Sequence, residues 1–103
     1  MFKLLILDVD GVLTTGLKTY DINGDVISKT FGDRDFTAIK EFICAGINTI
    51  FLSGDQQVNA EVAKKRGIPF FYSRRDSGQL SKADCAKEIL GKYQVDKKET
   101  IFV

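Results

Sequence analysis

The sequence predicts an α/β fold in three layers, with a parallel sheet of order 3-2-1-4 lying between helices. Three observations carry this. Short apolar or β-branched runs alternate with longer helical patterns along the chain. The first run, residues 2–7, is apolar apart from Lys3, as a strand buried on both faces requires. Polar clusters then follow the apolar runs at their carboxyl ends, where open parallel sheets bind ligands.

Taken in order, residues 2–7 form the first core strand, followed by Asp8, Asp10 and Gly11. Residues 17–21 and 25–31 are β-prone and flank Asn23-Gly24, a hairpin signal because a type I′ turn needs positive φ at both central residues. A lone hairpin is marginal in water, so this one is expected to pack on something, such as a second subunit. Phe36, Ile39, Phe42 and Ile43 recur at helical spacing over residues 35–45, with Gly46 as the C-terminal cap. Residues 48–52 form the second core strand and run into Ser53-Gly54-Asp55. Val58, Val62 and Ala63 mark one face of the next helix, which closes on Lys64, Lys65, Arg66 and Gly67. Residues 69–72 form a short third strand. A helix over residues 79–91 turns Leu80, Ala83, Ala86 and Leu90 inward, and residues 100–103 begin a fourth strand. No repeat, linker or low-complexity segment interrupts the chain, so one domain over residues 1–103 is expected.

Composition excludes several function classes. Lys and Arg number 15 against 14 Asp and Glu, a net charge of +1 that lacks the footprint of a nucleic-acid or polybasic membrane-surface protein. No apolar run approaches the roughly 18 residues of a membrane span, and residues 4–7 are too few for a signal-peptide core. A cytoplasmic protein is the expectation. Cys44 and Cys85 lie in predicted helices and read as buried free thiols. With no histidine in the chain, His-based triads and zinc–histidine sites are excluded. Acid/base chemistry must then come from carboxylates, lysine, tyrosine or metal-bound water.

Three clusters fall at the predicted carboxyl edge of the sheet: Asp8-Val9-Asp10-Gly11, Ser53-Gly54, and Lys82 at the opening of the last helix. Two carboxylates one residue apart beyond a buried strand are costly unless a cation or hydrogen bonds hold them. A hard, oxygen-ligated cation such as Mg²⁺ suits them.

The run Asp8-Val9-Asp10-Gly11-Val12-Leu13-Thr14 resembles the first motif of the haloacid dehalogenase superfamily, Ser53 the second and Lys82 the third. The hairpin insert, over about residues 16–31, and Phe31-Gly32-Asp33-Arg34-Asp35 entering a helix are similar to its small capless branch. That branch contains the 3-deoxy-manno-octulosonate 8-phosphate phosphatases and related sialic-acid-type sugar phosphatases. The resemblance implies a Rossmann-like core and Mg²⁺-dependent hydrolysis of a phosphorylated sugar or sugar acid. In it, Asp8 is the nucleophile that becomes an aspartyl-phosphate and Asp10 is the general acid/base. The metal is held by the Asp8 carboxylate and the Asp10 carbonyl. Ser53, Gly54 and neighbouring backbone N–H groups, with Gly11 in the first motif, hold phosphate, and Lys82 stabilises its charge. It also implies a homo-oligomer, a tetramer assembled through the hairpin.

The chain departs from the branch in places. The branch carries an acidic fourth motif after the strand that here is residues 100–103, so the chain is expected to be a portion of a longer protein. Phe36 stands where glycine usually follows Arg34-Asp35, and Asp55 stands where the second motif usually has arginine. Arg34 and Asp35 read equally as helix-capping groups or as a substrate contact. Arg74, Arg75 and Asp76 read as a charged loop, the lesser alternative being a place near a phosphate entry path. Tyr20 and Phe31 read as packing residues. Two rivals to the hydrolase are a catalytically inactive assembly or binding module and a phosphoacceptor signalling domain. The Asp-x-Asp-Gly run and the hairpin insert argue against the latter.

Overall fold

The computed structural model describes residues 1–75, 78–79 and 82–103, of which 75, 78 and 79 are described by backbone alone. The elements are β1 (Leu4–Leu7), β2 (Thr14–Tyr20), β3 (Val26–Phe31), α1 (Asp33–Cys44), β4 (Asn48–Ser53), α2 (Asn59–Arg66), β5 (Phe70–Tyr72), β6 (Arg74–Arg75), β7 (Gly78–Gln79), α3 (Lys82–Tyr93) and β8 (Thr100–Phe102), with a 3₁₀ turn at Lys97–Glu99 before β8. Strands β5-β4-β1-β8 form one parallel sheet, the predicted 3-2-1-4 order, with Ile6 opposite Ile50 and Phe102, and Phe51 opposite Phe70.

The alternation of side chains along a strand divides the core in two. Leu5, Leu7 and Phe51 face Phe36 and Ile39 of α1 and Ala63 of α2. Leu4, Ile6, Ile50 and Leu52 face Cys85 and Ile89 of α3. Both sides of the central strands are therefore covered, which is why β1 and β4 read as unbroken apolar runs.

Four local expectations are corrected. In the hairpin turn only Gly24 has positive φ (83°), so the turn is not type I′. Asp21 instead closes it, its carboxylate accepting the Asn23 and Asp25 N–H groups at 2.9 and 3.0 Å and its carbonyl accepting Gly24 N–H at 3.1 Å. A side-chain turn ending in a left-handed glycine connects the strands without a second positive φ. Helix α3 begins at Lys82, because Gln79 belongs to the short β6–β7 pair. Its buried face is Cys85 and Ile89, while Ala83 is exposed. Ala86 and Leu90 are half-buried and pack against the same core, as expected, so the two neighbouring stripes share the inner face. Leu80 and Asp76 lie outside the described residues. Cys85 is buried as expected, but Cys44 is exposed, as are Phe42 and Ile43 in the same last turn of α1. The buried face of α1 is confined to Phe36 and Ile39.

The end of α1 follows its sequence signal. Gly46, at φ 86°, lets its own N–H reach the Ile43 carbonyl and the Ile47 N–H reach that of Phe42.

Candidate active site

Strands β1, β4 and β5 end together at one edge of the sheet, around a cleft of about 500 Å³. Asp8, Asp10, Ser53, Gly54 and Lys82, which the sequence placed far apart, all border it. Gly11 and Arg34 do not. Gly11, at φ 78°, forms the tight loop behind Asp10, where its N–H donates to Thr14 Oγ1 at 3.1 Å. Arg34 is exposed in the first turn of α1, a helix with no side-chain N-cap bond.

The two acids of the first loop are held differently. Asp8 Oδ1 accepts the Val9 N–H at 2.8 Å, and Oδ2 accepts Lys82 Nζ at 2.7 Å. That Lys82 reaches Asp8 from the start of α3, with its own side chain 42% exposed. Asp10 faces the hairpin and α2: Oδ1 accepts Lys29 Nζ at 2.8 Å and Oδ2 accepts Asn59 Nδ2 at 3.2 Å.

Lys29, Lys18 and Asn59 were not singled out from the sequence. Lys29 extends from β3 with its side chain fully buried, and it also donates to Asp55 Oδ2 at 3.1 Å and Asn59 Oδ1 at 3.0 Å. Lys18, on β2, donates to the same Asp55 oxygen at 3.3 Å. A signal for this pair existed. In the hairpin register Lys18 stands directly opposite Lys29, and like charges so placed repel unless an anion lies between them. Asp55 is that anion. Burial alone raises its pKa, but hydrogen bonds from Lys29, the Gln57 N–H and Lys18, together with the Lys29 charge, outweigh that and hold the carboxyl below its ordinary value. The Lys18 ammonium is raised despite its partial burial, by the Asp55 hydrogen bond and the charges of Asp10 and Asp55.

The hairpin is thus latched onto its own chain. Gln57 completes the latch, accepting the Val26 N–H at 3.0 Å and donating to Asp25 at 3.2 Å. Next to it, Val58 adopts φ 62° and ψ −50°, with the Asn59 N–H reaching the Gln57 carbonyl at 2.6 Å. Such a tight turn on a β-branched residue is strained. It opens α2 with Asn59 fully buried, where Nδ2 reaches Ser53 Oγ, the Asp55 carbonyl and Asp10.

The oxygen donors fit a divalent cation in part. The Asp8 carboxylate and the Asp10 main-chain carbonyl are hard ligands, and Mg²⁺ is commonly held through one or two carboxylates with water completing its shell. Among the described residues no cluster of three potential acidic, histidine or cysteine ligands forms.

No family model matches the sequence. It is 34% identical over 102 residues to the 3-deoxy-D-manno-octulosonate 8-phosphate phosphatase of Haemophilus influenzae, a match covering 98% of this chain and 54% of that protein. The fold matches the cobalt-bound structure of the Haemophilus influenzae phosphatase with a TM-score of 0.84, at 34% identity over 98% of this chain and 57% of that one. A Legionella pneumophila protein assigned to subfamily III A of the HAD superfamily matches at TM-score 0.81 and 26% identity, over 98% of this chain and 53% of that one. Over 98% of its length the chain is similar in sequence and fold to proteins of the haloacid dehalogenase superfamily. Its fold is also that of the Moraxella catarrhalis 3-deoxy-D-manno-octulosonate 8-phosphate phosphatase, solved with a magnesium ion, a phosphate ion and a KDO molecule (TM-score 0.81, 22% identity, 98% of this chain and 56% of that one). The chain spans about half the length of these relatives. No described helix is long and apolar enough to cross a membrane.

Proposed function

We propose that this chain carries the catalytic core of a phosphate monoester hydrolase acting on a phosphorylated sugar or sugar acid. The observation that supports it most is the convergence of Asp8, Asp10 and Lys82 at one cleft, with Lys82 Nζ 2.7 Å from Asp8 Oδ2.

Asp8 attacks phosphorus, the bond from phosphorus to the sugar oxygen breaks, and an aspartyl-phosphate forms on Asp8. Asp10 gives its proton to the departing alkoxide and then takes one from the water that attacks phosphorus, releasing inorganic phosphate and restoring Asp8. Lys29 and Asn59 each hold one oxygen of Asp10, which orients the carboxyl toward the leaving group. Lys82 balances charge on the phosphoryl oxygens, and Ser53 and Gly54 line the same cleft. The Asp8 carboxylate and Asp10 carbonyl would hold Mg²⁺, which when bound neutralises charge on the nucleophile and the phosphoryl group.

Phosphate release from a panel of sugar phosphates, with and without Mg²⁺, tests this reading. Turnover that falls ~10³-fold or more in Asp8→Asn is expected, since the nucleophile is removed. Turnover that persists in that variant would reject it.

The hairpin supports a homo-oligomer as part of the same reading. Its inner face is occupied by the chain's own site, yet Leu17, Tyr20, Ile22 and Ile27 are exposed on it. Light scattering should give a mass above that of one chain, reduced by Ile27→Glu. A monomeric wild type would contradict it.

A further inference from the structure

Ser53, the hydroxyl assigned to phosphate from the sequence, is fully engaged within the protein. It donates to the Asp55 carbonyl at 3.0 Å and accepts the Asp55 N–H at 3.1 Å and Asn59 Nδ2 at 3.2 Å. A second serine borders the same cleft in the opposite condition. Ser73 follows β5, is 1% exposed, and its main-chain N–H is bound to the Ser53 carbonyl at 2.9 Å. Its Oγ has no hydrogen-bond partner among the described residues. Buried hydroxyls are almost always satisfied, so an orphan on a residue that lines a polar cleft points to an acceptor supplied by a ligand.

The next residue supplies charge. Of the cations at the cleft, Lys82 faces Asp8, Lys29 faces Asp10 and Asp55, and Lys18 faces Asp55. Arg74 also borders the cleft and makes no ion pair among the described residues. Ser73 and Arg74 converge on Gly54, because a Cβ built there would lie 3.4 Å from Ser73 Oγ and 3.5 Å from Arg74 Nε. The glycine leaves this wall open between its backbone and both side chains.

We propose that Ser73 Oγ and the Arg74 guanidinium form an oxyanion-binding wall opposite Gly54 that grips the phosphoryl group of the substrate. This deepens the hydrolase reading and rests on it for the identity of the anion. Ser73 donates its unshared proton to a phosphoryl oxygen, and Arg74 supplies the cationic side chain bordering the cleft that no carboxylate of the described residues matches. In the sequence Arg74 reads as part of a charged loop and Ser73 carries no mark, since neither belongs to a recognisable motif.

The test measures inorganic phosphate binding to the 103-residue chain by equilibrium dialysis in Mg²⁺, beside thermal midpoints and sugar-phosphate turnover. Ser73→Ala should weaken phosphate binding ~10-fold or more, the scale of a lost hydrogen bond to a charged group, with its thermal midpoint at or above that of wild type. A merely structural serine would move the midpoint instead. Arg74→Gln should weaken phosphate binding to a similar extent. Phosphate affinity within twofold of wild type in both variants, or a wild-type chain that binds no phosphate, would overturn the proposal. Turnover with unchanged phosphate affinity in both variants rejects this wall and leaves the hydrolase standing. Phosphate binding weakened in both variants without any turnover keeps the wall and rejects the hydrolase.

Discussion

Replacing Lys29 with methionine keeps most of the apolar stem and removes the ammonium that joins the hairpin to the core. Three acceptors lose this donor: Asp10 Oδ1 at 2.8 Å, Asn59 Oδ1 at 3.0 Å and Asp55 Oδ2 at 3.1 Å, the last keeping Lys18 at 3.3 Å. A hydrogen bond involving a charged group contributes about 1.5–3 kcal/mol, and stranding buried acids costs more. Here the two acid side chains keep 27% and 26% of their exposure, so water compensates for part of the loss. A destabilisation of about 2–3 kcal/mol at pH 7 is expected, well short of three full bonds. The loss should depend on pH, because Lys29 helps hold the Asp55 carboxyl below its ordinary value. A depressed folded-state pKa stabilises above the unfolded value, near ~3.9 for aspartate, and that stabilisation disappears as pH falls through the folded value. The gap between wild type and Lys29→Met should therefore be full at pH 7 and shrink below about pH 4. Urea denaturation at a series of pH values measures it. A gap under about 0.5 kcal/mol at pH 7, or one that does not shrink on acidification, would refute the latch.

Lys82→Met separates catalysis from folding. The exposed pair with Asp8 is worth at most about 1 kcal/mol, so the urea midpoint should hardly move, whereas phosphate release should fall ~10²–10³-fold. An activity loss no greater than the stability loss explains would count against its role. Ser53→Ala removes a buried hydroxyl with three bonds, and should cost about 1–3 kcal/mol in urea denaturation. A neutral effect would mean that the network tying Ser53 to Asp55 and Asn59 carries no weight.

The sheet was legible because its physics is local. An apolar run with both faces buried has few alternatives to a central strand, and β1 and β4 follow it closely. Asn23-Gly24 located the hairpin but misnamed its turn, since the Asp21 carboxylate satisfied the N–H groups that a second positive φ would otherwise have arranged. The inner face of α3 was read in part: Ala86 and Leu90 pack against the core as expected, but Cys85 and Ile89, each one residue earlier on the same helical period, lie deepest in it. Within the site, Asp8, Asp10, Ser53, Gly54 and Lys82 stood out by order and spacing. Lys29 and Asn59 did not, because what marks them is burial among carboxylates that are distant in sequence. Ser73 is marked only by an orphaned Oγ, a property with no sequence signature.

The most direct test of the account is covalent. The chain is mixed with a ³²P-labelled sugar phosphate and Mg²⁺ and quenched in acid. The label should remain on the protein, map to the peptide containing Asp8, be released by hydroxylamine as acyl phosphates are, and be absent from Asp8→Asn. Phosphate release with no protein-bound label at any quench time, or label that persists in Asp8→Asn, would contradict an aspartyl-phosphate at this site.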